Sequence, residues 1–261
     1  MPGWRARAKR MLVRTTAAVG SARDPSGGVA ILAYHATPAD PGHPAWIDFR
    51  GHMSLLEELN YDVVSLATAV SRIRDGAPAD RPSVAITFDD GWANNLDVAF
   101  PELARRGWPG TVFVTTSFLG KRPFLDEDEV RSLGALGIDV EPHTDAHPDL
   151  TTVAEARILE DLSRCRARIE DLTGRPTHWF CYPFGRVDAR VRDVVSRSGL
   201  SGACTGRSGR NRPGTDPFLL RRVTPDIGDG PSDLKAGLAG GLERIQEFRA
   251  FLRGRQNRRN P

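Results

Sequence analysis

Only three cysteines, Cys165, Cys181 and Cys204, occur in the 261 residues, and they stand far apart. So odd and sparse a set argues against a disulfide framework and against a cysteine-built zinc site. No apolar run reaches the roughly 20 residues that a membrane-spanning helix needs. No histidine follows His178. Acidic residues are missing from residues 1–14 and 253–261, while those ends carry Arg5, Arg7, Lys9, Arg10, Arg14, Arg253, Arg255, Arg258 and Arg259. Subtracting these nine charges from the net +3 leaves the middle of the chain at −6, so the basic character belongs to the ends. Basic ends of this kind are solvated tails or weak anchors to an anionic membrane surface. Aromatic residues are sparse in them, which argues against a specific nucleic-acid reader. The start has the charge of a signal peptide, but Arg14 interrupts the apolar Met11-Leu-Val13 and no convincing apolar core follows. The expectation is a cytoplasmic protein with, at most, peripheral contact at the inner membrane face.

Two segments carry candidate chemistry. In Val84-Ala-Ile-Thr-Phe-Asp-Asp-Gly91 an apolar, β-prone run ends in two carboxylates, Asp89 and Asp90. Successive strand side chains point to opposite faces, but at a strand end both acids can turn into one pocket. One can then bind a metal and the other handle a proton. Alone, Asp-Asp-Gly is also a good turn. In Glu141-Pro-His-Thr-Asp-Ala-His-Pro148 two histidines lie four residues apart. That spacing puts His143 and His147 on one side of a helical turn or tight loop, near enough to share an ion. Pro148 disfavours the α conformation at His147, so a long helix is not expected there. Two histidines and one aspartate form a recurrent catalytic site for a divalent metal.

Strand-like and helix-like pieces alternate along the chain. Strands are expected near 29–34, 62–65, 84–88, 111–115, 138–141, 179–182, 201–204 and 219–223. Helices are expected near 49–59, 66–74, 94–106, 126–136, 152–172, 187–198 and 234–252, with Thr152 and Glu155 forming a capping box. Repeated βα units imply an α/β fold with a parallel sheet, and their number suits a barrel. A single domain over 28–252 is expected, between basic segments 1–27 and 253–261. His35, Asp89, Asp90, His143 and the Tyr182–Gly185 segment all follow expected strands, where barrel active sites lie. His43 and His52 are expected to be exposed.

Thr87-Phe-Asp-Asp-Gly91, His143-Thr-x-x-His147-Pro148 and Phe180-Cys-Tyr-Pro-Phe-Gly185, in that order, resemble the first three motifs of the polysaccharide deacetylases, the carbohydrate esterase family with the NodB-like domain. The resemblance runs roughly from Val29 to Val223. It implies an incomplete (β/α)7 barrel and a metal-dependent hydrolase that removes N-acetyl, or O-acetyl, groups from a glycan or a glycan biosynthetic intermediate. By the same resemblance Asp89 is the general base, and Asp90, His143 and His147 hold the metal, usually zinc. Tyr182 and Phe184 line the oxyanion and substrate side through the backbone N–H near Phe184. The chain departs from the common pattern in three places. Cys181 stands where the third motif often has an arginine that orients the base. No clear fourth motif follows, and no late histidine is present. Ile31-Leu-Ala-Tyr-His35 resembles the opening strand of a circularly rearranged branch that includes poly-N-acetylglucosamine deacetylases, which implies His35 as the general acid. Arg222 and Asn211 lie where the missing fourth-motif function would come from, and Arg222 is a candidate to orient a catalytic carboxylate. Trp92 and Trp108 are either sugar-stacking platforms or core and rim residues. The alternatives are a glycan-binding module without turnover and a small-molecule amide hydrolase on the same scaffold.

Overall fold

A computed structural model describes residues 28–76 and 80–240. The N-terminal segment 1–27, the tail 253–261 and most of the expected closing helix lie outside them. Along the chain run β1 (Ala30–Tyr34), α1 (Phe49–Glu58), β2 (Asp62–Val63), α2 (Leu66–Asp75), β3 (Ser83–Phe88), α3 (Ala99–Arg105), β4 (Gly110–Val114) and α4 (Glu127–Ser132). Then follow β5 (Ile138–Pro142), α5 (Glu155–Thr173), β6 (Trp179–Cys181), α6 (Ala189–Ser196), β7 (Gly202–Ser208), β8 (Leu220–Arg222) and α7 (Pro231–Leu238).

Every strand ladder is parallel among the described residues. β3 pairs with β1 and β4, β4 with β5, and the short β2 pairs off β3. A second sheet runs β6-β7-β8. The two join where Ala33 N–H donates to the Val223 carbonyl at 3.0 Å and Val223 N–H to Ile31 at 2.8 Å. The wall therefore runs β5-β4-β3-β1-β8-β7-β6, with β2 outside it. This is the expected barrel of seven strands, open at one seam between β5 and β6.

Strand alternation sorts the apolar residues. Leu32, Tyr34, Val84, Ile86, Phe88, Val112 and Val114 face outward onto Phe49, Met53, Leu56, Leu103 and Ile169 of the helices. Ile31, Ala85, Phe113, Cys181, Cys204 and Leu220 fill the barrel interior. A third cluster packs Phe180, Tyr182 and Ala203 against Ile158, Leu162, Val191 and Val194. Because both faces of each strand are covered, the strands read as continuous apolar runs rather than alternating ones.

The seam has no strand ladder, and two side chains cross it. Glu141 Oε2 accepts the N–H groups of His178 (2.9 Å) and Trp179 (3.0 Å), on the edge that β6 turns to the gap. His143 Nδ1 lies 2.7 Å from the Cys181 carbonyl. Side chains thus supply bonds that a neighbouring strand would otherwise make.

Several expected elements shift for local reasons. The single helix expected over 94–106 is a 3₁₀ turn (Ala93–Leu96) followed by α3. Pro101 forces the break, since inside a continuous helix its ring would clash with the carbonyl four residues earlier, whereas a first turn accepts it. The Thr152–Glu155 capping box does not form. Ala154 is the N-cap of α5, and the Thr152 hydroxyl donates to the Asp149 carbonyl at 2.8 Å. His52 is buried rather than exposed, with Nδ1 3.1 Å from the Tyr34 hydroxyl, because it lies on the same face of α1 as Phe49 and Leu56. Burial lowers the pKa of its imidazole below the ordinary value.

Burial raises the Glu141 carboxyl from 4.5 to about 8, against the lowering effect of its two backbone donors. The folded chain therefore holds this proton more tightly than the unfolded chain does, and stability should fall as pH rises through that window. Glu141→Gln keeps an acceptor but cannot ionise. Urea unfolding from pH 5 to 8 should show a flatter pH dependence for the variant. An unchanged slope would remove Glu141 as its source.

Candidate active site

β3 delivers both acids to the C-terminal mouth of the barrel. Asp89 still follows the strand, its N–H donating to the Tyr34 carbonyl at 2.9 Å, and its side chain points into the interior. Asp90 adopts φ 70° and Gly91 φ 77°. Aspartate tolerates the left-handed region and glycine enters it freely. This double reversal brings the Asp90 carboxylate into the same mouth as Asp89.

The histidines follow β5 in a tight loop rather than a helical turn. Asp90 Oδ1 lies 3.3 Å from His143 Nε2 and 3.4 Å from His147 Nε2. The three ligand atoms form one possible metal-holding group. A backbone carbonyl can only accept, so the proton of the neutral His143 ring sits on Nδ1, facing Cys181. Its Nε2 lone pair then faces the anionic Asp90 oxygen. Two such atoms repel unless a cation or a shared proton lies between them, so the donor set fits a divalent metal. Burial raises the Asp90 pKa, but the adjoining His143 and His147 rings outweigh it wherever a proton is shared with them, and hold the group below the ordinary carboxylate value. Trp92 Nε1–H donates to Asp90 Oδ2 at 3.2 Å and fixes the outer oxygen. Trp108 instead packs against the main core.

Asp89 does not lack an arginine. Arg222, at the end of β8, donates NH1 to Oδ1 and NH2 to Oδ2, both at 2.7 Å. Both side chains are 5% exposed. The guanidinium also reaches the Thr205 carbonyl at 3.1 Å and Cys181 Sγ at 3.1 Å. Arg222 lies two residues after the inward-facing Leu220, so alternation turns it into the barrel. Burial raises the Asp89 pKa, but the Arg222 charge and hydrogen bonds outweigh it, leaving the carboxyl at about 2. Cys181 contributes a small neutral thiol, its Sγ 3.6 Å from Asp89 Oδ2, and burial raises its pKa well above the usual range. Asn211 lies away from this cluster, bonding the backbone of Arg221 and Val29.

His35, directly after β1, reaches over the pair with Nε2 4.0 Å from Asp89 Oδ2 and a side chain 53% exposed at the mouth. Tyr182 is a correction. Its hydroxyl donates to the Phe218 carbonyl (3.1 Å) and its N–H to Cys204, and its ring packs outward against the helices, so it offers the site no donor. Alternation along β6 explains this, since Cys181 points in and Tyr182 out. Phe184 sits at φ 58° with its ring 4.7 Å from that of His147. Gly185 and Arg186 donate their N–H groups within the turn, while the Phe184 N–H has no acceptor among the described residues. Trp92, Phe124, Phe118, His147 and Phe184 form an arc of successive ring contacts, each 4.5–5.9 Å.

Residues 76–203 match the polysaccharide deacetylase family model. Over that segment, just under half of its length, the chain carries a polysaccharide deacetylase domain. Among its relatives, the Bacillus subtilis protein YxkH is 23% identical over 176 residues, 67% of this chain and 63% of that protein. Poly-β-1,6-N-acetyl-D-glucosamine N-deacetylase of Staphylococcus aureus is 23% identical over 155 residues, 54% of this chain and 53% of that enzyme. The chain thus spans less than two thirds of the length of these relatives. Of solved structures, Streptococcus pyogenes deacetylase PplD in complex with acetate is 20% identical, with a TM-score of 0.73 over 81% of this chain and 98% of that one. IcaB from Ammonifex degensii is 24% identical, with a TM-score of 0.72 over 82% of this chain and 97% of that one. Both share the barrel fold.

Replacing Arg222 with Met would leave Asp89 buried without its countercharge. Breaking a buried pair in this way costs about 3–5 kcal/mol, which urea unfolding at pH 7 would show. The wild-type pair's contribution is complete above 3.8 and lost as pH falls through about 2. In the variant, burial is opposed only by the nearby His143 and His35, so the carboxyl rises and the acid limb of any hydrolytic activity should move to higher pH.

Proposed function

We propose that the protein is a metal-dependent hydrolase that removes acetyl groups from an N-acetylated glycan or glycan intermediate. One observation carries this reading. Asp90, His143 and His147 converge at the barrel mouth beside an aspartate that is ionised by Arg222 and faced by His35. A divalent cation, zinc by its preference for imidazole and carboxylate, would polarise an acyl carbonyl there and acidify water.

The chain's own groups supply the rest. Asp89 stays anionic throughout the neutral range and takes the proton of the attacking water at Oδ2. His35 Nε2, half-exposed on the open side, gives a proton to the departing amine, which leaves as a free amino sugar while the acyl group leaves as acetate. The Phe184 N–H, which has no acceptor among the described residues, would serve the developing oxyanion. The aromatic arc offers flat apolar faces to a sugar ring. An acetyl ester could be cut by the same groups. An ester alcohol is a better leaving group than an amine and depends less on the acid.

In the variants Asp90→Ala and His147→Ala, bound zinc and acetate release from N-acetylated oligosaccharides should fall together to background. Normal zinc content and turnover in either would show the site to be misassigned. With His35→Ala, acetate release should drop by about 10²–10⁴-fold on acetamides and by less on acetyl esters. An equal loss on both substrates would point away from His35 as the acid. Glycan binding without any acetate release by the zinc-loaded wild type would identify a binding module instead.

A further inference from the structure

The loop that carries both histidines is held from outside the barrel mouth. Thr144 adopts φ 71° and His147 φ 55°. Neither is glycine, and Thr144 is β-branched, so each is strained unless its surroundings impose it. The surroundings do so through three successive peptide N–H groups. Asp161 on α5 accepts Asp145 N–H at Oδ1 (2.7 Å) and Ala146 N–H at Oδ2 (3.2 Å). His147 N–H is taken by the Thr144 hydroxyl at 2.9 Å. From the opposite side the Thr116 hydroxyl donates to Asp145 Oδ1 at 2.7 Å, and Ser117 N–H to the Asp145 carbonyl at 3.0 Å. Asp161 is buried and touches no ligand atom of the triad.

We infer that Asp161 is a positioning residue for the metal centre. From the helix behind β5, its two oxygens grip the N–H groups between the histidines and hold His147 in the left-handed conformation that aims Nε2 at Asp90. Without this grip the loop relaxes toward ordinary backbone angles, and His147 swings off the site while His143, anchored to Cys181, stays. The triad then loses one ligand of three. The inference rests on Asp90, His143 and His147 binding a metal, and its test reads the metal directly rather than turnover.

Cobalt(II) is titrated into the full-length wild type and into Asp161→Asn and Thr116→Val, following the visible absorption of bound cobalt. Asparagine keeps one acceptor but presents an N–H₂ group to the second peptide N–H. Thr116→Val removes the hydroxyl that holds Asp145 while leaving the Asp161 carboxylate in place. Both variants should raise the cobalt dissociation constant by about 10- to 100-fold, as loss of outer partners does at metal sites, and should alter the shape of the band. The unfolding midpoint of metal-free Thr116→Val should stay near that of the wild type, which separates positioning from general destabilisation. Wild-type affinity and band shape in Asp161→Asn would overturn the inference and leave the metal reading intact. If the wild type gave no cobalt band, both would fall. If Asp161→Asn does not fold, Thr116→Val decides, with unchanged affinity counting against the inference.

Discussion

The buried pair of Asp89 and Arg222 is the interaction on which the rest of the site depends. It joins the third strand to the eighth through the barrel interior, which neither ladder does directly. The carboxylate could not stay charged at this depth without the guanidinium, and the guanidinium could not be buried without the carboxylate. Both oxygens of Asp89 are engaged in a planar, two-point contact, so its orientation is set as well as its charge. His35, on the strand between them in the wall, then faces an oxygen whose position is fixed.

A second constraint acts at the seam. The wall lacks a ladder between β5 and β6, and Glu141 and His143 cross the gap with side chains. Glu141 takes up two N–H groups of β6, and His143 takes up a carbonyl of the same strand. The second bond also fixes which nitrogen of His143 carries the proton. One hydrogen bond therefore serves the continuity of the wall and the chemistry of the triad.

Much of this could be read from the residues. The apolar run into Asp89-Asp90-Gly91 and the four-residue spacing of His143 and His147 locate the mouth, because parallel barrels place function where strands end. Arg222 falls in an expected strand, but pairing it with Asp89 needs the closure of the barrel, since a charge in a short strand says nothing of which distant acid it meets. Tyr182 was misplaced for a simple reason. Neighbours on a strand face opposite sides, and the phase of the three-residue strand β6 is set by what packs around it. The missing capping box at Thr152, the break before Pro101 and the burial of His52 are likewise decided by local competition and by helix phase. Asp161 gives no sequence signal at all, as an acid in a charged helix looks like any solvated one.

The placement of Arg222 also bears on the order in which the chain can become a protein. Asp89 and both histidines lie in the first 147 residues, yet the countercharge that makes Asp89 tolerable in the interior arrives 133 residues after it. On the ribosome, the strands through β7 can be present while their central acid has no partner. At that stage the acid favours a protonated or outward-turned state over the packed one. The barrel can take the described form only when β8 emerges, and the strand that joins the two sheets is the one that brings the missing charge.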